Sequence, residues 1–428
     1  MTEYDAVIVG AGIIGLATAY HVKKQQPNDR VVIVERMATA GQGNTAKSAA
    51  MFRCFFASNT NLTLVDTTVE FFKHIQNELG RDLKLRWAGY LWLFSKEHYK
   101  MVEPILRAMS RNGLSHTVYE GEELVERLNL VSRVSDDQEA QIIGLSDVEK
   151  GVFVPKAGSI DIDLLVQFYE REFKNMGGII QYNTRVEKIL VEPKRPLNMP
   201  DEPFFWQQSR AAGVTTNRSI IRAKKTIVAA GVWANSLLHQ VGLYAPMEPI
   251  KRQLFSVKAE TEELRKLLHV GGLNPEHCMP FTILPEPTVY IKPALEEEAF
   301  WLSYGDSFPR EFKLEDDPQP EENFYRYGIY QVVTKYFPQF SGAKPYGAWA
   351  GQYALNTIDG QPVILEENGL LTVGSCSGSG NMKADAIGRI AAALYSDEDY
   401  ADLFGGKRFK VSDLGMLKRK VEREKLII

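Results

Sequence analysis

The chain has 428 residues and a formal net charge of −4, with acidic and basic residues intermixed. This length predicts two domains, and the absence of a basic surplus argues against a nucleic-acid partner. The three cysteines, Cys54, Cys278 and Cys376, lack metal-ligand spacing and suggest no disulfide framework, so we expect no bound metal and a reduced, cytoplasmic setting. A predicted strand by residue 5 leaves no room for a signal peptide, and no run of 18 apolar residues predicts a transmembrane helix.

A short apolar run, Ala6–Val9, opens the chain and leads directly into a glycine motif. Its spacing is G-x-G-x-x-G, formed by Gly10, Gly12 and Gly15. The first glycine permits a tight turn, the second lets a pyrophosphate approach the backbone, and the third lets the following helix pack closely on the strand. A second apolar run, Val31–Val34, ends on Glu35, where an acid can accept hydrogen bonds from ribose hydroxyls. The pattern predicts a dinucleotide site.

Periodicity predicts the elements that follow. They are helices over 62–79 and 99–111 around a strand at 89–94, a helix entered at 158–161 and ending near 175, strands at 178–183, 184–193 and 225–231, short strands within 250–340, and a strand, glycine-rich turn and helix over 369–395. Prolines and polar residues in 193–218 predict a long hairpin connection or a local insertion.

Nucleotide-type elements therefore lie at the start, middle and end of the chain. We predict an α/β fold with two domains. A discontinuous Rossmann-like domain takes residues 1–85, 152–245 and 345–428, and a smaller α+β substrate domain with a mostly antiparallel sheet takes 86–151 and 246–344. The substrate is expected at their junction.

The charged end of the sequence, Lys418–Ile428 (KRKVEREKLII), predicts a solvated terminal helix. The less favoured alternative is docking of this segment to a partner or to a membrane surface. A homo- or hetero-oligomer is compatible with the sequence.

The order of several motifs resembles the FAD-dependent D-amino-acid oxidase-like superfamily, and within it the sarcosine oxidase and dye-linked L-proline dehydrogenase branch. The motifs are DAVIVGAGIIGLATAYHV, VVIVER, GNTAKSAAMFR, IVAAGVWANSLL, GAWAGQY with DGQPVI, and GSCSGSGNMKADAIGRIAA. The resemblance covers nearly the whole chain and implies FAD as the cofactor.

The resemblance also implies where FAD is held. The positions are Gly10, Gly12, Ile13, Ile14 and Gly15 at the pyrophosphate; Glu35 and Arg36 at the adenosine ribose; Asn44, Thr45, Ala46, Lys47 and Ser48 under the pyrophosphate and flavin; Val186 at the adenine; Ala230, Gly231 and Trp233 in a turn near the cofactor; and Gly378, Gly380, Asn381, Met382 and Lys383 at the flavin's pyrimidine end. Gly351 stands where the monomeric sarcosine oxidases carry a flavin-linking cysteine, so we expect non-covalent FAD.

Two cations are implied to bind a substrate carboxylate, Arg53 and Lys383. A guanidinium in an apolar stretch such as AAMFRCFF is costly unless paired, and its planar donors suit a carboxylate. The alternative is that Arg53 pairs with an internal acid and that Lys383 caps a loop or binds only flavin. No motif marks a histidine as a base.

Aromatic side chains are expected to complete the pocket by packing and cation–π contact. The candidates are Tyr290, Tyr353 and Trp301, with Tyr304 as a further one; for Trp301 and Tyr304, core filling is an equal alternative. Trp301 matches the position of the lysine with which the branch activates oxygen, which favours a quinone, another flavoprotein or a dye as electron acceptor.

These features predict FAD-dependent oxidation of a small carboxylated amine, L-proline or a sarcosine-like N-alkyl amino acid, by hydride transfer to flavin N5. The alternatives are a 2-hydroxy-acid or glycerol-phosphate dehydrogenase, for which no base can be named, and an FAD-binding subunit of a larger electron-transfer complex. An NAD-binding regulatory protein is disfavoured by the GSGNMK loop.

Overall fold

The computed structural model describes residues 3–111, 113–306 and 312–427; Ile428 of the predicted tail lies outside the described residues. The described strands are β1 (Glu3–Val9), β2 (Val31–Val34), β3 (Met51–Arg53), β4 (Tyr90–Phe94), β5 (Thr117–Glu120), β6 (Lys150–Val154), β7 (Ala157–Ser159), β8 (Ile179–Gln181), β9 (Val186–Pro193), β10 (Ser209–Thr216), β11 (Ile220–Val228), β12 (Glu248–Lys258), β13 (Phe281–Ile283), β14 (Val289–Ala294), β15 (Ala299–Tyr304), β16 (Pro345–Leu355), β17 (Val363–Glu367), β18 (Leu370–Gly374), β19 (Tyr400–Asp402) and β20 (Arg408–Lys410).

The described α-helices are α1 (Ile13–Gln25), α2 (Asn59–Asn77), α3 (Lys96–Arg111), α4 (Gly121–Leu128), α5 (Gln138–Ile143), α6 (Ile162–Asn175), α7 (Ala234–Leu238), α8 (Glu262–Leu268), α9 (Glu322–Phe324), α10 (Tyr330–Tyr336) and α11 (Ala384–Tyr395). None of them is long and apolar enough to cross a membrane.

The first sheet has a parallel centre in the order β18-β11-β1-β2-β8, with β17 antiparallel at one edge. Its central strands are continuous apolar runs, because helices cover both faces of a parallel sheet; all four residues of β2 are buried. The carboxyl ends of β1 and β2 lead to the glycine motif and to Glu35, so the parallel order brings these two segments to one edge of the sheet.

The hairpin of β9 and β10 pairs with β11 at the side of this sheet. Its connection, residues 194–208, lies within the hairpin connection predicted over 193–218, but the later part of that prediction is wrong, because Ser209–Thr216 form β10. Four large apolar side chains of this loop are exposed, Leu197, Met199, Phe205 and Trp206.

Helices α1 and α11 pack against each other at close range on one face of the first sheet. A Cβ added at Gly388 of α11 would lie 2.6 Å from the carbonyl oxygen of Ala17 in α1. A buried polar link joins the same helices: His21 Nε2 lies 2.7 Å from Asp385 Oδ1, and Arg389 Nε donates to Asp385 Oδ2 at 2.7 Å. This link fixes α11, and with it the glycine-rich loop that precedes it.

The second sheet runs in the order β16-β12-β15-β14-β13-β4-β6-β5. Its described pairings are antiparallel except β13 with β4. Helices α8 and α10 pack beneath it in a separate apolar cluster. One face of this sheet is turned toward the glycine-rich loops of the first sheet.

The predicted fold class, an α/β fold with a parallel nucleotide-type sheet and a mostly antiparallel second sheet, is confirmed. The domain boundaries stay a prediction. Strand β16 and part of β6 fall in ranges predicted for the first domain, yet both strands pair within the second sheet.

The predicted helix over 418–428 is wrong for the described part of that segment. Residues 419–427 carry no helix. The reason is tertiary: Glu424 is 5 % exposed and accepts hydrogen bonds from the start of α2. These contacts outweigh the helix propensity of a charged sequence.

The close approach of α1 and α11 predicts that Gly388→Ala lowers the free energy of unfolding. Alanine in place of glycine in a helix contributes about 1 kcal/mol by propensity, but the added methyl group of Gly388→Ala meets a backbone carbonyl. We expect a net loss of about 1–2 kcal/mol in the free energy of unfolding, measured in urea. Gly347→Ala, whose Cβ meets nothing within 4 Å, is the matched control and should be near neutral. Equal stabilities of the two variants would contradict the close packing.

Candidate active site

The glycine motif forms a tight turn between β1 and α1. Gly10 has φ +103°, and a Cβ there would lie 2.8 Å from the Ala229 carbonyl oxygen; a Cβ at Gly15 would lie 2.0 Å from the Gly10 carbonyl oxygen. At Gly12 a Cβ would approach only the Thr45 hydroxyl, at 3.3 Å. Gly10 and Gly15 are therefore required by the turn itself, whereas a Cβ at Gly12 would meet one side-chain atom at close contact and no backbone atom within 4 Å.

The N-terminus of α1 is ordered by Thr45, whose hydroxyl oxygen accepts a hydrogen bond from Ile13 N at 3.1 Å. Glu35 accepts hydrogen bonds from Ala11 N at 2.7 Å and Met37 N at 2.8 Å. These bonds fix the Glu35 carboxylate at the carboxyl end of β2, next to the glycine turn. Helix-end N–H groups and a fixed acid are the arrangement that a dinucleotide requires.

A cavity of about 230 Å³, here called the first cavity, runs from this turn to the second sheet. Many predicted positions line it, namely Ile13, Ile14, Asn44, Thr45, Ser48, Arg53, Gly231, Tyr290, Gly351, Tyr353, Gly378, Gly380, Asn381 and Met382. Segments far apart in the chain are thus brought to one space.

Arg53, at the end of β3, is 5 % exposed and lines the first cavity. Its guanidinium carbon lies 4.8 Å from the ring centroid of Phe56 and 5.2 Å from that of Trp92. Its Nη2 donates to the Leu426 carbonyl oxygen at 2.5 Å, whereas its buried Nε has no partner among the described residues. The predicted alternative of a direct ion pair with an internal acid is not seen among the described residues.

Lys383 is fully buried at the N-terminus of α11, and it is not among the residues that line the first cavity. Its Nζ lies 5.3 Å from the Phe56 ring centroid and has no hydrogen-bond partner among the described residues. The same ring thus lies near Lys383 and Arg53. Burial lowers the pKa of Lys383 to about 8, with Glu424 and Cys376 opposing the shift. An unpaired buried ammonium is costly, so this site favours an anion beside it.

Aromatic side chains form the end of the cavity at the second sheet. Tyr90, Phe281 and Tyr290 are buried and pack together, with ring centroids 4.3 and 5.0 Å apart. Tyr353 packs on Gly378, where a Cβ would meet the tyrosine ring at 2.3 Å and where φ is +80°. Burial raises the pKa of Tyr290 and of Tyr353, so these hydroxyls stay protonated.

Trp301 does not line the first cavity, contrary to its prediction as an active-site aromatic. It lies two residues along the sheet from the level of Tyr290 and reaches a second cavity of about 320 Å³. The register pairs Trp301 with Lys292 and Ser303 with Tyr290. Two residues along a strand are about 7 Å apart. Tyr290 therefore reaches the first cavity, and Trp301 reaches the second.

The second cavity contains a cation that the sequence analysis missed. Lys292 is 8 % exposed, its Nζ lies 3.7 Å from the Trp301 ring centroid, and burial lowers its pKa to about 8. Ser48 and Met51 line both cavities, so the second cavity adjoins the first. The inference that no cation lies near position 301 is therefore wrong, because the cross-strand neighbour supplies one.

Other predicted positions lie outside the first cavity. Arg36 pairs with Asp316 and stacks on Trp233 at 4.2 Å, and Lys47 pairs with Asp317. The remaining positions have other settings: Ala46 lines the second cavity, Val186 packs in the cluster under β9, Ala230 precedes the 231–233 turn, and Tyr304 stacks on Phe324 in the core.

The lining residues that the sequence does not predict include Arg252, Glu424 and Leu426. Arg252 lies 5.3 Å from the Tyr353 ring centroid and pairs with Asp306 at 3.3 Å. Alternation along β12 marks Arg252 as facing one side of the sheet, but nothing in the sequence shows which side. Glu424 and Leu426 carry no local signal.

The cysteines show no sign of activation. Burial raises the pKa of Cys54 to about 12 and that of Cys376 to about 11, so both thiols are protonated at neutral pH. Cys376 lines the first cavity. No cluster of metal-ligating side chains occurs among the described residues, and no histidine is among those that line the first cavity.

Comparison with known proteins identifies the fold and the family. A model of the family described as FAD dependent oxidoreductase matches residues 5–394. FAD-dependent oxidoreductase domain-containing protein 1 of Bos taurus is 24 % identical over 91 % of this chain and 80 % of its own. Sarcosine oxidase subunit beta of Arthrobacter sp is 24 % identical over 85 % of this chain and 79 % of its own.

Among solved structures, L-proline dehydrogenase from P. horikoshii superposes with a TM-score of 0.72 at 22 % identity, covering 92 % of this chain and 94 % of its own. Glycine oxidase from Geobacillus kaustophilus superposes with a TM-score of 0.68 at 18 % identity, covering 93 % of this chain and 96 % of its own. The predicted resemblance is confirmed at the level of the family.

The residues present fit FAD. At Gly12 only the Thr45 hydroxyl comes near the position of a Cβ, so a pyrophosphate can approach the backbone beside the N–H groups of α1. The loop at 378–382 lines the other end of the first cavity with backbone N–H groups, and the unpaired Lys383 Nζ adds positive charge nearby. Non-covalent binding is our expectation, since Gly351 offers no thiol.

Gly10 and Gly12 predict different outcomes for the same substitution. Gly12→Ala should leave the unfolding free energy of the apoprotein within about 1 kcal/mol of wild type, yet raise the FAD dissociation constant at least about tenfold, because the methyl group occupies the pyrophosphate's approach. Gly10→Ala should destabilise the apoprotein itself through its positive φ and the contact with Ala229. Calorimetric FAD titration and urea unfolding measure both. Unchanged FAD affinity in Gly12→Ala would contradict the assigned cradle.

Proposed function

Because this chain belongs to the FAD-dependent oxidoreductase family, we propose that it oxidises the carbon–nitrogen bond of a small amino acid or N-alkyl amino acid, with L-proline and sarcosine-like amines as the leading substrates. The observation that carries this proposal is the pair of buried, incompletely bonded cations Arg53 and Lys383. Arg53 lines the apolar and aromatic first cavity, and Lys383 lies near the ring of Phe56, which also lines it. The relatives named sarcosine oxidase subunit beta and L-proline dehydrogenase support the same substrate class.

The roles of the chain's own residues follow from the geometry. Arg53 would bind the substrate carboxylate through its free guanidinium donors, and Lys383 would add a second positive charge from its buried position near Phe56. Tyr90, Phe281 and Tyr290 would pack on the carbon chain and exclude water. When bound, FAD supplies the two-electron acceptor.

The amine of the substrate has to be neutral to react. Nearby cations disfavour a further positive charge, so Arg53 and Lys383 would lower the pKa of the bound amine, and the amine would lose its proton to water without a protein base. An alcohol substrate would need a base instead. Because the described lining residues of the first cavity include no histidine and their one carboxylate, Glu424, is engaged by backbone and side-chain donors, an amine is favoured over a 2-hydroxy acid.

The carboxylate role of Arg53 is testable with non-reacting acids. Arg53→Ala should raise the dissociation constant of acetate or butyrate for the FAD-loaded protein by roughly tenfold to a hundredfold, since charged hydrogen bonds contribute about 1.5–3 kcal/mol. FAD content should not change. Arg252→Ala is the comparison, with a smaller effect expected because Asp306 already neutralises that cation. Equal effects of the two variants, or none, would refute the role of Arg53.

A second part of the proposal concerns the electron acceptor. The sequence predicts a quinone, flavoprotein or dye as acceptor because residue 301 is tryptophan and not lysine. We propose instead that Lys292 supplies this cation and permits reaction with oxygen, because one-electron reduction of oxygen creates an anion that a buried cation stabilises.

Lys292→Met should therefore slow turnover with oxygen at least about tenfold while leaving turnover with an artificial dye unchanged. Since the Lys292 pKa is about 8, the cation is present below that pH and lost above it. The oxygen-to-dye rate ratio of the wild-type protein should fall as pH rises through 8 and should be flat in the variant. An oxygen-to-dye rate ratio that changes neither with the substitution nor with pH would rule out Lys292 as the cation that permits reaction with oxygen.

A further inference from the structure

Residues 415–427, here called the strap, are docked along the protein instead of forming a free tail. Arg419 binds Asp359 through two hydrogen bonds, Nε to Oδ2 at 2.6 Å and Nη2 to Oδ1 at 2.7 Å. The Glu424 backbone N–H donates to the Asp359 carbonyl oxygen at 2.8 Å. The neighbouring loop leaves room for the strap: Gly360 has φ +74°, and a Cβ there would meet Ile427 Cδ1 at 2.8 Å.

Two carboxylates of the strap bind the N-terminus of α2. Glu422 accepts hydrogen bonds from Thr60 N at 3.2 Å and from the Thr60 hydroxyl at 2.9 Å. Glu424 accepts from Ala57 N at 3.0 Å, the Ser58 hydroxyl at 2.9 Å and Asn61 Nδ2 at 2.9 Å. Free N–H groups and the helix dipole favour negative charge at this end.

Glu424 is an anchor rather than a ligand group. Burial alone raises its pKa, but the hydrogen bonds from Asn61, Ala57 and Leu426 outweigh burial and leave the pKa below its usual value. Both carboxylate oxygens accept several bonds from the protein. The carboxylate is therefore committed to holding the strap.

The anchored strap reaches the first cavity. Glu424, Leu426 and Ile427 line it. Leu426 packs against the aromatic cluster that contains Tyr90 and Tyr290. Its carbonyl oxygen accepts the hydrogen bond from Arg53 Nη2 at 2.5 Å. The strap thus contacts both the apolar wall and the cation that we assign to the substrate carboxylate.

We propose that the strap is the specificity-determining wall of the substrate site. The Leu426 side chain limits the length of the carbon chain that fits beside Arg53, and the Leu426 carbonyl positions the guanidinium so that its remaining donors face the cavity. This inference rests on the proposed function for the identity of the ligand, a small carboxylate. It assigns a role to a segment for which neither the sequence motifs nor the family match, which ends at residue 394, provides one.

The test uses the FAD-loaded full chain and straight-chain carboxylates from acetate to hexanoate, with binding followed by the change in flavin visible absorption. In Leu426→Ala the dissociation constant of hexanoate relative to that of acetate should fall at least about tenfold, because each methylene in a fitted apolar pocket changes affinity by roughly tenfold or more. Arg423→Gln is the matched control, since Arg423 lies on the strap, is exposed and lines neither described cavity; its ratio should equal that of wild type. An unchanged ratio in Leu426→Ala overturns the proposal.

A second readout separates failure of this inference from failure of the proposed function. If no carboxylate perturbs the flavin of the wild-type protein, the carboxylate assignment falls, but the strap is still judged by collisional quenching of flavin fluorescence with acrylamide. Glu424→Ala, which unpins the strap, should raise the quenching constant about twofold or more, as expected when a lining segment is released to solvent. Arg423→Gln should leave the constant unchanged, because Arg423 is exposed. Identical quenching in wild type, Glu424→Ala and Arg423→Gln overturns the proposal that the strap forms a wall of the site.

Discussion

Two cations that the fold buries without full compensation are the constraint on which the site depends. Arg53 and Lys383 are buried beside the Phe56 ring, and neither forms an ion pair with a described carboxylate. Burying such charges costs several kcal/mol each unless an anion joins them. The structure therefore favours a negatively charged group beside Arg53, in the first cavity.

The fold supplies the means to hold these charges in place. Lys383 immediately precedes α11. The His21–Asp385–Arg389 link and the close packing at Gly388 fix this helix against α1. Arg53 ends β3 and is oriented by the Leu426 carbonyl of the strap. The two charges come from segments that meet only in the folded chain, so their juxtaposition is a product of tertiary packing. Preorganised charge of this kind is what stabilises an anionic ligand without further rearrangement.

The parts of this arrangement that the sequence predicts are those with local causes. The turn at Gly10, the buried strands and the acid at Glu35 follow from steric and burial rules that act over a few residues. Arg53 and Lys383 were found through ordered motifs, because a single sequence gives no distances. The sequence does not reveal Lys292 as a site residue, because its place beside Trp301 depends on the register between β14 and β15. The strap was predicted as a helix because its partners, Ser58 and Asn61, lie far away in sequence.

The most direct test of the central claim, that the buried cations serve the oxidation of a carboxylated amine, is an anaerobic titration of the FAD-loaded protein. L-Proline, sarcosine, glycine and D-amino acids would be compared with the 2-hydroxy acids of matching carbon skeleton, with loss of the flavin's visible absorption as the signal. We predict that at least one of the amines removes this absorption and that the hydroxy acids do not. Loss of absorption with the hydroxy acids alone, or with none of these compounds, would contradict the account.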